Sequence, residues 1–160
     1  STDINKIWID IDGDSNAVDV GQGCKFIYSN STSCDRDTHE DAGHEMEINI
    51  TGDYNWVRGG QKSGTADPDH TLVMDINSDN NSVWFTQAGS GAKDLDLTIN
   101  NDGNSVSIHQ HYGAHTATVT LDGTSPTDLN LIQTGGPSQT YNLMQNCLTI
   151  GGCSVSVTQQ

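Results

Sequence analysis

Six runs of this chain close on a glutamine, and in four of them an asparagine stands six residues earlier. These are Asn16-Ala-Val18-Asp-Val20-Gly-Gln22, Asn55-Trp-Val57-Arg-Gly59-Gly-Gln61, Asn81-Ser-Val83-Trp-Phe85-Thr-Gln87 and Asn104-Ser-Val106-Ser-Ile108-His-Gln110. The runs ending at Gln133 and Gln159 keep the glutamine but put Thr127 and Cys153 in the asparagine place. A recurring internal period is the mark of a stacked, quasi-one-dimensional fold, in which each repeat buries its apolar face only against its neighbours. Among compact folds, few others would put the same amide in the same place six times.

A second alternating run precedes each of these. Ile7-Trp-Ile9-Asp-Ile11, Met46-Glu-Ile48-Asn-Ile50, Leu72-Val-Met74-Asp-Ile76, Leu95-Asp-Leu97-Thr-Ile99 and Ala117-Thr-Val119-Thr-Leu121 each lead into a turn rich in Gly, Asn, Asp and Ser. Alternation of period two over five residues reads as a strand with one buried face. Each unit is therefore strand, turn, strand. The reading is an all-β single domain over residues 1–160, a β-solenoid of about six strand-turn-strand rungs. An insertion at 23–45 follows the first rung, and 137–160 forms an irregular last rung. Six rungs at strand spacing stack to about 25–30 Å.

The side-chain alternation turns Asn16, Val18, Val20 and Gln22 to one inner face. Stacked rungs then place Asn16, Asn55, Asn81 and Asn104 in one row and Gln22, Gln61, Gln87, Gln110, Gln133 and Gln159 in another. A carboxamide both donates and accepts, so such a row satisfies itself from rung to rung and fixes the register.

Composition suits a thin fold. Only 32% of the residues are apolar, and 21 acidic against 6 basic side chains leave a net charge of −15. Nucleic acid is a poor partner for that surface, because binding phosphate requires basic side chains. The four cysteines form two close pairs, Cys24 with Cys34 and Cys147 with Cys153. Neither has zinc-site spacing. Local disulfides are the simplest of the three connectivities, one of them tying the insertion, and they favour an exported protein. The Ser1-Thr2 start fits a mature chain released from a signal peptide. No stretch reaches the roughly 18 apolar residues of a membrane span.

The pattern resembles the curlin repeat of bacterial curli fibres, whose units pair two strands and carry a G-x-x-N-x-A-x3-Q second half. Gly13-Asp-Ser-Asn16-Ala-Val18-Asp-Val-Gly-Gln22 and Gly52-Asp-Tyr-Asn55-Trp-Val57-Arg-Gly-Gly-Gln61 follow it with Val for Ala; the third and fourth units put Ser78 and Asn101 in place of the Gly. Here the first strands are aliphatic, where curlin carries Ser and Gln. The resemblance implies a β-solenoid, a secreted or cell-surface location (bacterial extracellular or periplasmic) and a capacity to stack.

Candidate chemistry is sparse. Asp10, Asp12 and Asp14 alternate around Gly13, an oxygen-rich pattern that calcium accepts, although the run lacks the twelfth-position Glu of an EF-hand. The competing reading is a stacked turn column of Asp14, Asp53, Asp79 and Asp102. His39 with His44, and His109 and His111 with His115, lack partners to complete a metal site and read as surface residues. Trp8, Trp56 and Trp84 fall on outer positions. They form either a partner-binding or sugar-stacking platform, or a satellite core beneath the insertion. No nucleophile elbow or phosphate loop is present. The expectation is a non-enzymatic structural subunit of a bacterial surface fibre, matrix or envelope-attached appendage, requiring no cofactor and at most binding calcium. Its partners would be other copies, or other envelope or appendage proteins. The alternative is an adhesin or carbohydrate-binding module.

Overall fold

The computed structural model describes residues 5–22, 44–61, 70–77, 79–89, 91–100, 104–112, 114–123, 128–135, 138–147 and 153–160. Its regular elements are ten strands: β1 (Asn5–Asp12), β2 (His44–Thr51), β3 (His70–Ile76), β4 (Ser82–Gln87), β5 (Lys93–Ile99), β6 (Ser105–His111), β7 (His115–Gly123), β8 (Asp128–Thr134), β9 (Gln139–Cys147) and β10 (Ser154–Gln159). The first-half strands build one sheet in the order β1-β2-β3-β5-β7-β9. The second halves build another, ordered β10-β8-β6-β4. Every pairing is parallel and without slippage, so that Met46 lies beside Leu72, Leu72 beside Leu95 and Leu95 beside Ala117. The result is a β-solenoid of about four turns.

Four turns rather than six follows from the second halves of the first two units. Segments 16–22 and 55–61 run alongside β4 and bond to their neighbours (Val18 N–H to the Trp56 carbonyl at 2.8 Å, Val57 N–H to that of Ser82 at 3.0 Å), but are not regular strands. Glycine explains the difference. A methyl group on Gly60 would stand 2.5 Å from the Gly21 carbonyl oxygen, and one on Gly59 would stand 2.8 Å from that of Trp84. These rungs approach more closely than side chains allow, and Gly59 leaves room in its column for Phe85, the largest wholly buried apolar side chain.

Parallel sheets are usually covered on both faces and read as continuous apolar runs. Here each strand alternates, because both sheets turn their apolar side to one shared interior. Met46, Ile48 and Ile50 of β2, Leu95, Leu97 and Ile99 of β5, and Val106 and Ile108 of β6 are all at most 2% exposed. Each fully buried aliphatic side chain contributes about 1.5–3 kcal/mol to folding. The corners between the halves are tight. Ser15, Tyr54 and Asn80, each just before the asparagine row, have φ of 53°, 48° and 55°. Gly52, at φ 137°, packs its α-carbon against Gly13 so closely that a β-carbon would meet the Gly13 backbone at 2.5 Å.

The insertion ends sooner than its sequence boundary of residue 45. His44 and Glu45 belong to β2, and their pairing with His70 and Thr71 of β3 is what fixes them there. The closing unit, read as irregular, pairs in register through β9 on β7 and β10 on β8. Among the described residues no helix is long and apolar enough to cross a membrane.

Candidate functional site

The amide rows run along the two corners of the interior. In the asparagine row Asn55 donates to Asn16 Oδ1 at 2.5 Å, Asn81 donates to Asn55, and Asn104 to Asn81. Asn55 also reaches the Gly52 carbonyl at 2.7 Å, which ties the row to the turn in front of it. Asn55, Asn81 and Asn104 are at most 5% exposed.

The glutamine row does two jobs with each side chain. Gln22 donates to Gln61 (3.0 Å) and Gln61 to Gln87 (3.1 Å); from the other end Gln159 donates to Gln133 and Gln133 to Gln110, both at 2.7 Å. The second N–H of most members crosses to the backbone of the following first-half strand. Gln22 bonds the Glu45 carbonyl, Gln61 that of Thr71, Gln110 that of Thr116 and Gln133 that of Thr140, at 3.0–3.2 Å. Those carbonyls pin the amide orientation, since only the nitrogen can face them. One residue type thereby joins rung to rung and sheet to sheet.

Beside this corner lies a row that the sequence reading missed. Register places His44, His70, Lys93 and His115 in one column, continued by Gln139. All four are inward-facing, at 1%, 0%, 0% and 2% exposure. The surface placement expected for His44 and His115 is thus corrected. Carrying each strand's alternation back by two residues, from Met46, Leu72, Leu95 and Ala117, would have put these polar side chains inside. The rings of His44 and His70 stack with centroids 5.0 Å apart and planes 9° from parallel. Lys93 Nζ donates to the carbonyls of Gly91 (2.6 Å) and Tyr112 (2.7 Å). Burial first, then the neighbouring charges of His44 and Lys93, lower the His70 pKa from 6.5 to about 3. Burial, followed by Lys93, also lowers that of His115.

His109 and His111 are half-buried on the outer side of β6, and both are held below the ordinary histidine pKa, mainly by burial. His111 Nδ1 lies 2.8 Å from Thr134 Oγ1. Asp10, Asp12 and Asp14 are exposed. Among the described residues no group of three or more His, Cys, Asp or Glu side chains is placed to hold a metal ion. The three tryptophans do not share a sheet. Trp8 is on the outer side of β1, 68% exposed, while Trp56 (59%) and Trp84 (36%) lie outside the other half of the coil, with Tyr54 in the adjoining turn. Trp8 and Trp84 therefore belong to different sheets. Cys153 is disulfide-bonded. The pairing of Cys24 with Cys34, and with it His39 and a folded-back insertion, lies outside the described residues.

At the two ends of the coil the interior columns come into view. Ile7, Ile9 and Ile11 of β1 are only partly buried. In β10 Val155 and Val157 are 36% and 37% exposed, although their columns are closed at 0–7% by Val18, Val20, Val57, Leu129 and Leu131. Residues 129–160 contain no Asp, Glu, Lys or Arg, so the whole net charge of −15 resides in residues 1–128.

Comparison of the chain with protein-family models, curated proteins and solved structures finds no match.

Proposed function

We propose that the chain is a non-enzymatic extracellular structural subunit, of the curlin-like kind, that assembles by stacking β-rungs end on end into a surface fibre or matrix. The observation that carries this reading is the agreement between the two ends, column by column. Continuing the register beyond β9 and β10 sets Tyr141 over Ile7, Leu143 over Ile9, Val155 over Val18, Val157 over Val20 and Gln159 over Gln22 of a second copy. Exposed parallel edges are templates for pairing. The uncharged last rung also removes the like-charge contact that would otherwise oppose association of so acidic a chain.

The test is electron microscopy and fibre diffraction of the purified chain beside Val155→Asp and Val157→Asp variants. Filaments with a repeat near the strand spacing of about 4.8 Å, abolished in folded variants, support the reading. A wild-type chain that stays monomeric at high concentration refutes it.

A second reading rests on the exposed aromatics. Tyr54, Trp56 and Trp84 are exposed on the same half of the coil, aromatic rings of the kind that stack on sugars in an adhesin or carbohydrate-binding module. Glycan binding by the soluble chain, lost in Trp56→Ala, would favour it over assembly.

A further inference from the structure

We propose that the buried column His44–His70–Lys93–His115 is an acid-labile seam, which keeps the rungs closed while its histidines are neutral and releases them when acid protonates the rings. The inference goes beyond assembly and does not depend on it.

The geometry supplies the reason. Register stacks the four side chains on consecutive strands of one sheet, and all are at most 2% exposed. Parallel rings 5.0 Å apart cannot bond to one another, because imidazole nitrogens point along the ring plane and not along the stack. Among the described residues neither ring nitrogen of His70 or of His115 makes a hydrogen bond of ordinary geometry; the backbone of Ala88 lies near the first and that of His111 near the second. A proton on such a ring brings in a charge that burial disfavours and that the nearby backbone of Ala88 or His111 offsets only in part.

The surrounding charges add to the effect. Across from His70 stand His44 on β2 and Lys93 on β5; acting on His115 are Lys93 on β5 and His111 on β6. All three are cationic when protonated, and among the described residues no carboxylate acts on either ring. Glu45 and Asp94 occupy the next position along their strands, where alternation turns them outward. Lys93 is anchored by two carbonyls and cannot retreat.

The sign follows from proton counting. The unfolded histidine binds a proton near pH 6.5, while the folded His70 does so only near 3. Between those values the unfolded chain holds more protons, so stability is complete above about pH 6.5 and falls as the pH drops. Each ring that stays neutral in the fold lowers the folding constant by about tenfold per pH unit in that window.

The experiment is urea unfolding of the full chain at monomeric concentration from pH 7.5 to 5.0, joined to NMR titration of the histidine ring protons. Above pH 5 the carboxylates remain ionised and do not obscure the slope. The expected result is a wild-type folding constant at least tenfold lower at pH 5.0 than at 6.5, with His70 not titrating in the folded protein and His115 titrating below the ordinary histidine value. The double variant H70Q/H115Q, which extends the residue type already present at Gln139, should fold at pH 7.5 and lose most of that slope, whereas H111Q should keep it. Folded-state titration of the two rings near pH 6.5, or an unchanged acid slope in a folded H70Q/H115Q, overturns the proposal. If the double variant does not fold, the wild-type ring titration alone decides.

Discussion

Two buried polar rows adjoin the same corner of this solenoid, and they solve the problem of burial in different ways. The glutamine row consists of side chains that donate and accept along the stacking direction, Gln22, Gln61 and Gln87 in one series and Gln159, Gln133 and Gln110 in another, and their N–H groups also close the corner onto the neighbouring sheet. The histidine–lysine column repeats just as regularly, but its His44 and His70 rings stack flat, and among the described residues the ring nitrogens of His70 and His115 make no hydrogen bond of ordinary geometry. The comparison teaches that repetition alone does not make a buried polar column favourable. What matters is whether the group can bond in the direction in which it is repeated. A carboxamide can, and an imidazole stacked on its copy cannot.

Substitutions in the two rows should separate these cases. The largest effect belongs to Gln87→Leu, which leaves the donor of Gln61 without its buried acceptor; urea unfolding at pH 7.5 should show a loss of about 3 kcal/mol. A near-neutral result would mean that the row is decoration. Gly60→Ala, which sets a methyl group against the Gly21 carbonyl, should cost about 1–3 kcal/mol, read by the same midpoint shift. Lys93→Met strips two carbonyls of their donor and should cost about 1–2 kcal/mol at pH 7.5. Yet it should also raise the His70 pKa and flatten the acid slope, because Lys93 is one of the charges holding that pKa down. The smallest effect is expected of Trp56→Ala on the outer side, within about 0.5 kcal/mol of wild type in thermal unfolding. A large loss there would place Trp56 beneath a cover and count against its standing as a free docking surface.

Much of the fold was legible in the chain because the evidence for it is local. Alternation in Met46-Glu-Ile48-Asn-Ile50 names the inner face without knowledge of any partner strand, and a fixed Asn-to-Gln interval names the register. The amide rows were legible for the same reason. The histidine–lysine column was not, because its members differ in type, and His70 and Lys93 bear no resemblance until β3 and β5 are laid side by side. The number of regular turns was also hidden, since glycines that permit close approach look in sequence like ordinary turn residues. The tryptophans lie on outer positions as alternation expects, while Trp8 and Trp84 belong to different sheets, since alternation specifies the side of a strand and not which sheet that side belongs to.

Sequence by itself thus determined the coil, its inner and outer faces and the glutamines that bind one rung to the next, for these follow from periodicity and from hydrogen-bonding capacity carried residue by residue. Only the tertiary structure decided which unlike side chains would share a column. Stacking puts residues distant along the chain within about 5 Å of each other, and at that range burial and neighbouring charge, not residue type, decide whether a histidine can carry its proton.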